Sequence, residues 1–338
     1  MNSIKLMINK VRDIDNKRLN YLIDVISKKN NKSKFYVKMD MIKNFFRYGI
    51  SYTDYMKGDY INLTKEQKKD YIKTKKYYEI INYLNNPEYR YIFLDKIEFN
   101  NKFKKYIGRN YLDLRNSTVE DFKKFIKNKK DFFAKKHNSF GGDGVEKIIT
   151  KDIKNVEDLY NKLLENKQYL VEETIVQHDY LNKINSKAVN NIRMVTIYKD
   201  GKAHLIGNTI RLNAGEEEVI SCHDIFATLD KDGNLLGNVV DDDCHIYKEH
   251  PTSKFKFKNV KIPYIKEAIK MVEKAGEVVP EVRYVGWDVA ITPNGPVIIE
   301  GNFYPSYGLF QYYLLDDGLP VGKLAKIKEV LKDEAKNI

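Results

Sequence analysis

GWDVAITPNGPVIIEGN, residues 286–302, decides the reading of this chain. Two apolar segments, Val285–Ile291 and Pro296–Ile299, flank Pro293-Asn294-Gly295, a turn signal that predicts a hairpin. Asp288 leaves the first strand, and Glu300 and Asn302 leave the end of the second. Being two apart on an extended chain, Glu300 and Asn302 point to one face. If the hairpin closes, three oxygen ligands converge. Oxygen-only sets suit hard cations such as Mg²⁺, commonly held by one or two carboxylates plus substrate phosphates. Alone, the segment equally describes a hairpin whose end happens to carry two acids and an amide. Upstream residues must decide.

The chain has 338 residues, enough for two or three subdomains around more than one core. At 42% hydrophobic and 12% aromatic it is a folded globular protein, not a disordered one. No apolar run approaches the ~18–20 residues that span a bilayer. The N-terminus, MNSIKLMINKVRDIDNKR, lacks the continuous apolar segment of a secretory signal. Cys222 and Cys244 provide neither a disulfide framework nor a four-ligand zinc site, so a reducing cytoplasm is the expected compartment. The net charge of +12 is spread along amphipathic segments such as KKDYIKTKK and KKFIKNKK. It fits attraction to nucleotide and acidic substrates better than an extended nucleic-acid surface, and nucleic acid is not the expected partner.

The first hundred residues read as helical, with three-and-four spacing over Ile4–Ile26 and Lys65–Leu84 and a capping box at Thr64–Gln67. No glycine-rich strand-to-helix turn marks a dinucleotide fold there. From about residue 130 the pattern changes. Asp131–Lys136, Val145–Thr150 and Gln168–Glu173 read as strands and Asn155–Glu165 as a helix. Residues 191–212 read as two strands around Lys199-Asp200-Gly201. Ile262–Glu277 and Val321–Lys336 are expected helices.

Gly141-Gly142-Asp143-Gly144, between two strands, exposes backbone N–H groups as a phosphate cradle needs, although glycines also make ordinary turns. Lys135 stands one strand-length upstream. The strand ending in Glu172-Glu173-Thr174-Ile175 can grip a base through backbone and carboxylate, or be a solvated strand end. Arg193 and Arg211 lie on adjacent strands, with Asn191 and Asn213 nearby. A planar, permanently charged guanidinium neutralises phosphate well, and a lone strand arginine also makes surface ion pairs. His250 is a surface residue or an acceptor contact.

In this order (helical region, strand lysine, glycine-rich hairpin, strand Glu-Glu, strand arginines, strand Asp, strand Glu-x-Asn) the chain resembles the ATP-grasp superfamily over roughly residues 90–315. It is most similar to the sugar-transfer-associated group, on LVEETIVQHDYLNKIN, VNNIRMVTIYKDG, HPTSK and VGWDVAITPNGPVIIEGN. The resemblance implies an α+β fold, two α+β subdomains clamping ATP. The expected divisions are a helical region over 1–110, a lid subdomain over 111–172 and a catalytic core over 173–338. It implies that Lys135 touches the α/β-phosphates and that Ser139, Gly141, Gly142 and Gly144 form a mobile phosphate cover. Glu172 and the backbone of Glu173 to Ile175 would hold adenine, and Asp179 the ribose. Arg193 and Arg211 would stabilise phosphate and acyl phosphate. Asp288, Glu300 and Asn302 would bind Mg²⁺, Glu300 bridging two ions. A second ATP lysine is expected at Lys96, with Lys102 its rival. Lys136 replaces the proline that many relatives carry, and the N-terminal region departs from the usual strand-rich domain, leaving acceptor recognition open.

The implied reaction is ATP-dependent amide formation between small-molecule or sugar-linked carboxylate and amine substrates, in envelope polysaccharide or sugar-conjugate assembly. It needs no protein nucleophile, which agrees with the absence of any Ser-His-Asp or Cys-His pattern. An ATP-grasp kinase and a non-catalytic polyanion-binding protein are the rival expectations.

Overall fold

The computed structural model describes residues 15–139, 143–215, 224–243, 245–311 and 322–338. The chain opens with helices α1 (Asn16–Asn30), α2 (Lys34–Tyr48), α3 (Tyr52–Lys57), α4 (Lys65–Asp70) and α5 (Thr74–Leu84). Asp15, Ser33, Ser51 and Thr64 cap the first four with side-chain oxygens, satisfying N–H groups that have no helical partner. Ile23, Val37, Tyr55, Tyr60 and Tyr71 form a core of their own.

The single helix expected over Lys65–Leu84 is two. Tyr71 is extended and buried, and Ile72 exchanges both backbone hydrogen bonds with the Gln311 amide (N–H donor at 2.9 Å, carbonyl acceptor at 2.8 Å). This tertiary pairing replaces the helical ladder. Of the helix expected over Ile4–Ile26, residues 1–14 lie outside the described residues.

After α5 come three short helices, α6 (Tyr91–Leu94), α7 (Lys96–Lys102) and α8 (Lys104–Ile107). An antiparallel four-stranded sheet follows, built from β1 (Tyr111–Asp113), β2 (Asp131–Lys135), β3 (Val145–Ile149) and β4 (Leu170–Glu173) in the order β1-β4-β2-β3. Helices α9 (Val119–Ile126) and α10 (Val156–Glu165) cover one face through Phe122, Ile126 and Leu163 against Phe132, Ala134 and Val171. Phe133, Lys135 and Glu172 therefore belong to the other face.

Past α11 (Asp179–Ile184) lies a seven-stranded antiparallel sheet in the order β11-β10-β5-β6-β7-β8-β9. Its strands are β5 (Asn191–Lys199), β6 (Lys202–Asn213), β7 (Asp224–Leu229), β8 (Leu235–Val240), β9 (Ile246–Tyr247), β10 (Tyr284–Thr292) and β11 (Gly295–Asn302). Between β9 and β10 runs α12 (Ile265–Ala275), and α13 (Leu324–Leu331) closes the chain, both shorter than expected. Tyr264, in the left-handed region at φ 58°, marks where α12 starts, and a 3₁₀ helix over Lys332–Asn337 takes over after Leu331. Residues 192 and 194 of β5 pack toward the α12 side, and 195 and 197 toward α5 and α13. Both faces of the central strands are covered, so β5 and β10 are mainly apolar, with Arg193 and Asp288 their only charged residues that are buried.

Candidate active site

Asp288 lies directly opposite Arg193 on one side and Glu300 on the other. The register slips beyond that point: Val289 opposes Ile298, which leaves Ile299 as a bulge and brings Glu300 level with Asp288. Asn191 opposes Arg211 and Arg193 opposes Thr209, so both arginines, Asp288 and Glu300 share one face of the sheet. Arg193 donates to Asp288 through Nε (2.5 Å) and Nη2 (3.0 Å). Arg211 donates to Asp224 at 2.8 Å and places its other terminal nitrogen 3.9 Å from Asp288. Asn302 donates to Glu300 at 3.3 Å.

Burial opposes ionisation of both acids. For Asp288, Arg193 and then Arg211 outweigh it, holding that carboxyl below its usual range. For Glu300, burial and the adjacent Asp288 act together and push it up. The two carboxyls stand side by side on paired strands. A buried like-charge pair needs a proton or a cation between its members. Two carboxylates and an amide, with phosphate oxygens completing the shell, fit Mg²⁺. Among the described residues no three His, Cys or acidic side chains cluster, so phosphate would have to supply the rest. Buried Arg211 Nε and Asn191 Oδ1 have no hydrogen-bond partner among the described residues, polar atoms left for a ligand.

A cleft faces this cluster from the four-stranded sheet. Its lining includes Lys96, Lys135, Ser139, Glu172, Glu300 and Asn302, with Asn100 and Arg109. Asp95 caps α7 by accepting from the N–H groups of Ile97 (2.8 Å) and Glu98 (3.2 Å), which fixes Lys96 in the first turn. The same helix is anchored by Phe99, stacked on Phe103 at 4.6 Å, with both rings against Trp287 of β10. Lys96 donates its backbone N–H to His137 at 2.7 Å, and its ammonium contacts Ser139. Burial pushes that ammonium's pKa down, against the pull of Glu300. Lys102, at the far end of α7, is exposed.

Glu172 is buried between the Lys135 ammonium and Arg109 Nε, the latter at 2.8 Å. Although burial works against it, Arg109 and Lys135 pull its carboxyl down to about 2. Arg109 also donates to the carbonyls of Ile298 and Ile299, both at 2.9 Å, tying the small sheet to β11. Gly108, at φ 58°, makes this approach achievable: a Cβ there would collide with Val297.

The cleft lining does not include Glu173, Ile175 or Asp179. Glu173 sits on the opposite face of β4, pairing with Lys129 (3.2 Å) and the N–H of Asn110 (2.9 Å). Ile175 is half-buried in the connector, and Asp179 is an exposed first residue of α11. Gly144, at φ 66°, closes a turn whose carbonyl accepts from Lys136 at 3.2 Å; Gly141 and Gly142 lie outside the described residues. His250 is neither a surface residue nor an open contact: it is fully buried, its Nε2 2.7 Å from the Asn213 carbonyl. Sequence reading missed Arg109, Asn100 and Asp224.

The family model for sugar-transfer associated ATP-grasp proteins matches residues 75–319, well over half of the chain. The chain belongs to this family. No curated protein sequence matches it. Among solved structures it is similar to a D-alanine-D-alanine ligase from Coxiella burnetii (11% identity, 65% of this chain and 51% of that one, TM-score 0.40). It is also similar to the ATP-grasp ligase PsnB in complex with its minimal precursor (13%, 66% and 56%, TM-score 0.39). A third is the D-cycloserine synthetase DcsG (11%, 66% and 66%, TM-score 0.42). The match spans about half of the first two structures. No helix among the described residues is long and apolar enough to cross a membrane.

Proposed function

We propose that this chain is an ATP- and Mg²⁺-dependent carboxylate–amine ligase. One observation carries the proposal: two lysines, Lys96 and Lys135, face the Glu300–Asn302 end of edge strand β11, and the next three strands present Asp288, Arg193 and Arg211 on the same face. About 30 Å³ is open in the cleft, too little for a nucleotide, so this reading requires the two sheets to part on binding. Lys96 and Lys135 then exchange Ser139 and Glu172 for phosphate oxygens, with Ser139 and Gly141, Gly142 and Gly144 covering them. Glu172 and the backbone of Glu173 to Ile175 would hold the adenine and Asp179 the ribose, which requires the parting sheets to bring Glu173, Ile175 and Asp179, outside the lining of the closed cleft, to the nucleotide. Asp288, Glu300 and Asn302 would hold Mg²⁺, which would neutralise phosphate charge.

A substrate carboxylate oxygen attacks the γ-phosphorus and ADP leaves; an amine then attacks the acyl carbon, inorganic phosphate leaves and the amine gives up a proton. Arg193, pinned by Asp288, and Arg211, with its Nε unpartnered, stabilise the charge that grows on the transferred group. The substrates are small-molecule or sugar-linked, in envelope polysaccharide or sugar-conjugate assembly on the cytoplasmic side.

Hydroxylamine as an artificial amine tests this. The wild type is expected to form hydroxamate from a carboxylate pool with ADP release. Arg211→Ala should lose on the order of 10²-fold in kcat at nearly unchanged ATP affinity. Phosphorylation of a hydroxyl acceptor without hydroxamate would replace the ligase with a kinase, and the loss of RNA affinity alone would replace it with a polyanion-binding module.

A further inference from the structure

Helix α2 carries apolar side chains on two opposite faces. Val37 and Met41 are buried in the N-terminal core. Phe35, Met39, Ile42 and Phe46 are 75%, 47%, 39% and 70% exposed. Their spacing of four, three and four residues aligns them in one stripe along a helix about 22 Å long. At 100° per residue, Lys38 borders the stripe on one side, and Lys43 and Arg47 on the other. None of these three cations has an ion pair among the described residues, although Arg47 stacks over Tyr48 at 5.4 Å. Lys68 of α4 joins the group: burial, then Lys43 and Arg47, pushes its ammonium's pKa down, partly against Asp40. Asp40, the one acid of α2, is turned to its own side, accepting from Tyr55 Oη at 2.6 Å and Asn44 at 2.9 Å. Lys34 is already paired with Asp24 at 2.7 Å.

We propose that this stripe and its flanking cations dock the protein on an anionic lipid surface, α2 lying in the headgroup plane. An apolar stripe bordered by Lys and Arg is the pattern of an interfacial helix, and 15 residues cannot span a bilayer. Charge decides among occupants. A second copy packed through the same face would set cations against cations. Residues 1–14 bring Lys5, Lys10 and Arg12 against the single acid Asp13, so they also repel it. The helix precedes the family-matched residues 75–319, and docking is independent of the ligase proposal.

The test is co-sedimentation of the full chain with phosphatidylcholine vesicles, alone or mixed with phosphatidylglycerol. Binding is expected to the mixed vesicles only, weakening with salt. Phe35→Ser with Phe46→Ser should abolish it without a change in Tm, since both rings are exposed. Lys38→Gln and Lys43→Gln should each weaken it about fivefold. Three results overturn the proposal: no wild-type binding to mixed vesicles, binding unaffected by the paired Phe substitutions, or a concentration-dependent dimer that these substitutions dissociate.

Discussion

Arg109→Met removes the group that holds the two sheets together at the cleft. Arg109 is nearly inaccessible and gives Glu172 its Nε hydrogen bond, with three further donations to the carbonyls of Ile107, Ile298 and Ile299. Breaking a buried ion pair from one side costs about 3–5 kcal/mol, because the partner charge is stranded. The carboxyl of Glu172 sets a scale: its fall from 4.5 to about 2, produced by Arg109 and Lys135 together, corresponds to about 3 kcal/mol of stabilisation, of which Arg109 supplies part. A folded-state value below the unfolded one means that this stabilisation is complete above about pH 4.5 and is lost as pH falls toward 2. Urea unfolding followed by fluorescence of Trp287, the single tryptophan, measures both. The variant should be about 3–5 kcal/mol less stable at pH 7, with the deficit about 1 kcal/mol smaller by about pH 3.5. A neutral-pH deficit below about 1 kcal/mol, or one that widens in acid, would refute the reasoning.

Glu300→Gln should lower ATP turnover by about 10²-fold or more. Because burial and Asp288 raise the Glu300 carboxyl, its ionisation opposes folding as pH rises, so Tm at pH 7 should stay level or increase. Lys96→Ala should weaken ATP binding by roughly 10- to 100-fold, as for a charged hydrogen bond, whereas Lys102→Ala should leave calorimetric affinity unchanged. Hydrogen exchange at residues 136–139 and 143–145 should slow with Mg²⁺ and a non-hydrolysable ATP analogue; unchanged exchange would count against a phosphate cover.

What the sequence made legible was local. The Pro-Asn-Gly turn, the two apolar strands and the Glu-x-Asn spacing set the hairpin by themselves, and two-residue periodicity gave the shared face. The bulge at Ile299 was not legible, though it is what aligns Glu300 with Asp288. Arg109 escaped because its partners lie 63 and 189 residues away. One signal was available: a carboxylate such as Glu172 inside an apolar strand requires a cation, and Gly108-Arg109 follows a helix end. The break at Tyr71 was hidden for the same reason, since Gln311 stands 239 residues along the chain. Periodicity sees neighbours on one element, whereas these features are made by chain segments that meet only in the fold.

Calorimetric titration of a non-hydrolysable ATP analogue, with and without Mg²⁺, tests the central claim most directly, using wild type, Lys135→Ala and Asp288→Asn. Binding should require Mg²⁺, weaken in Lys135→Ala with its Mg²⁺ dependence retained, and lose that dependence in Asp288→Asn. Nucleotide binding that ignores Mg²⁺ in the wild type, or survives all three conditions unchanged, would contradict the assignment of this cleft.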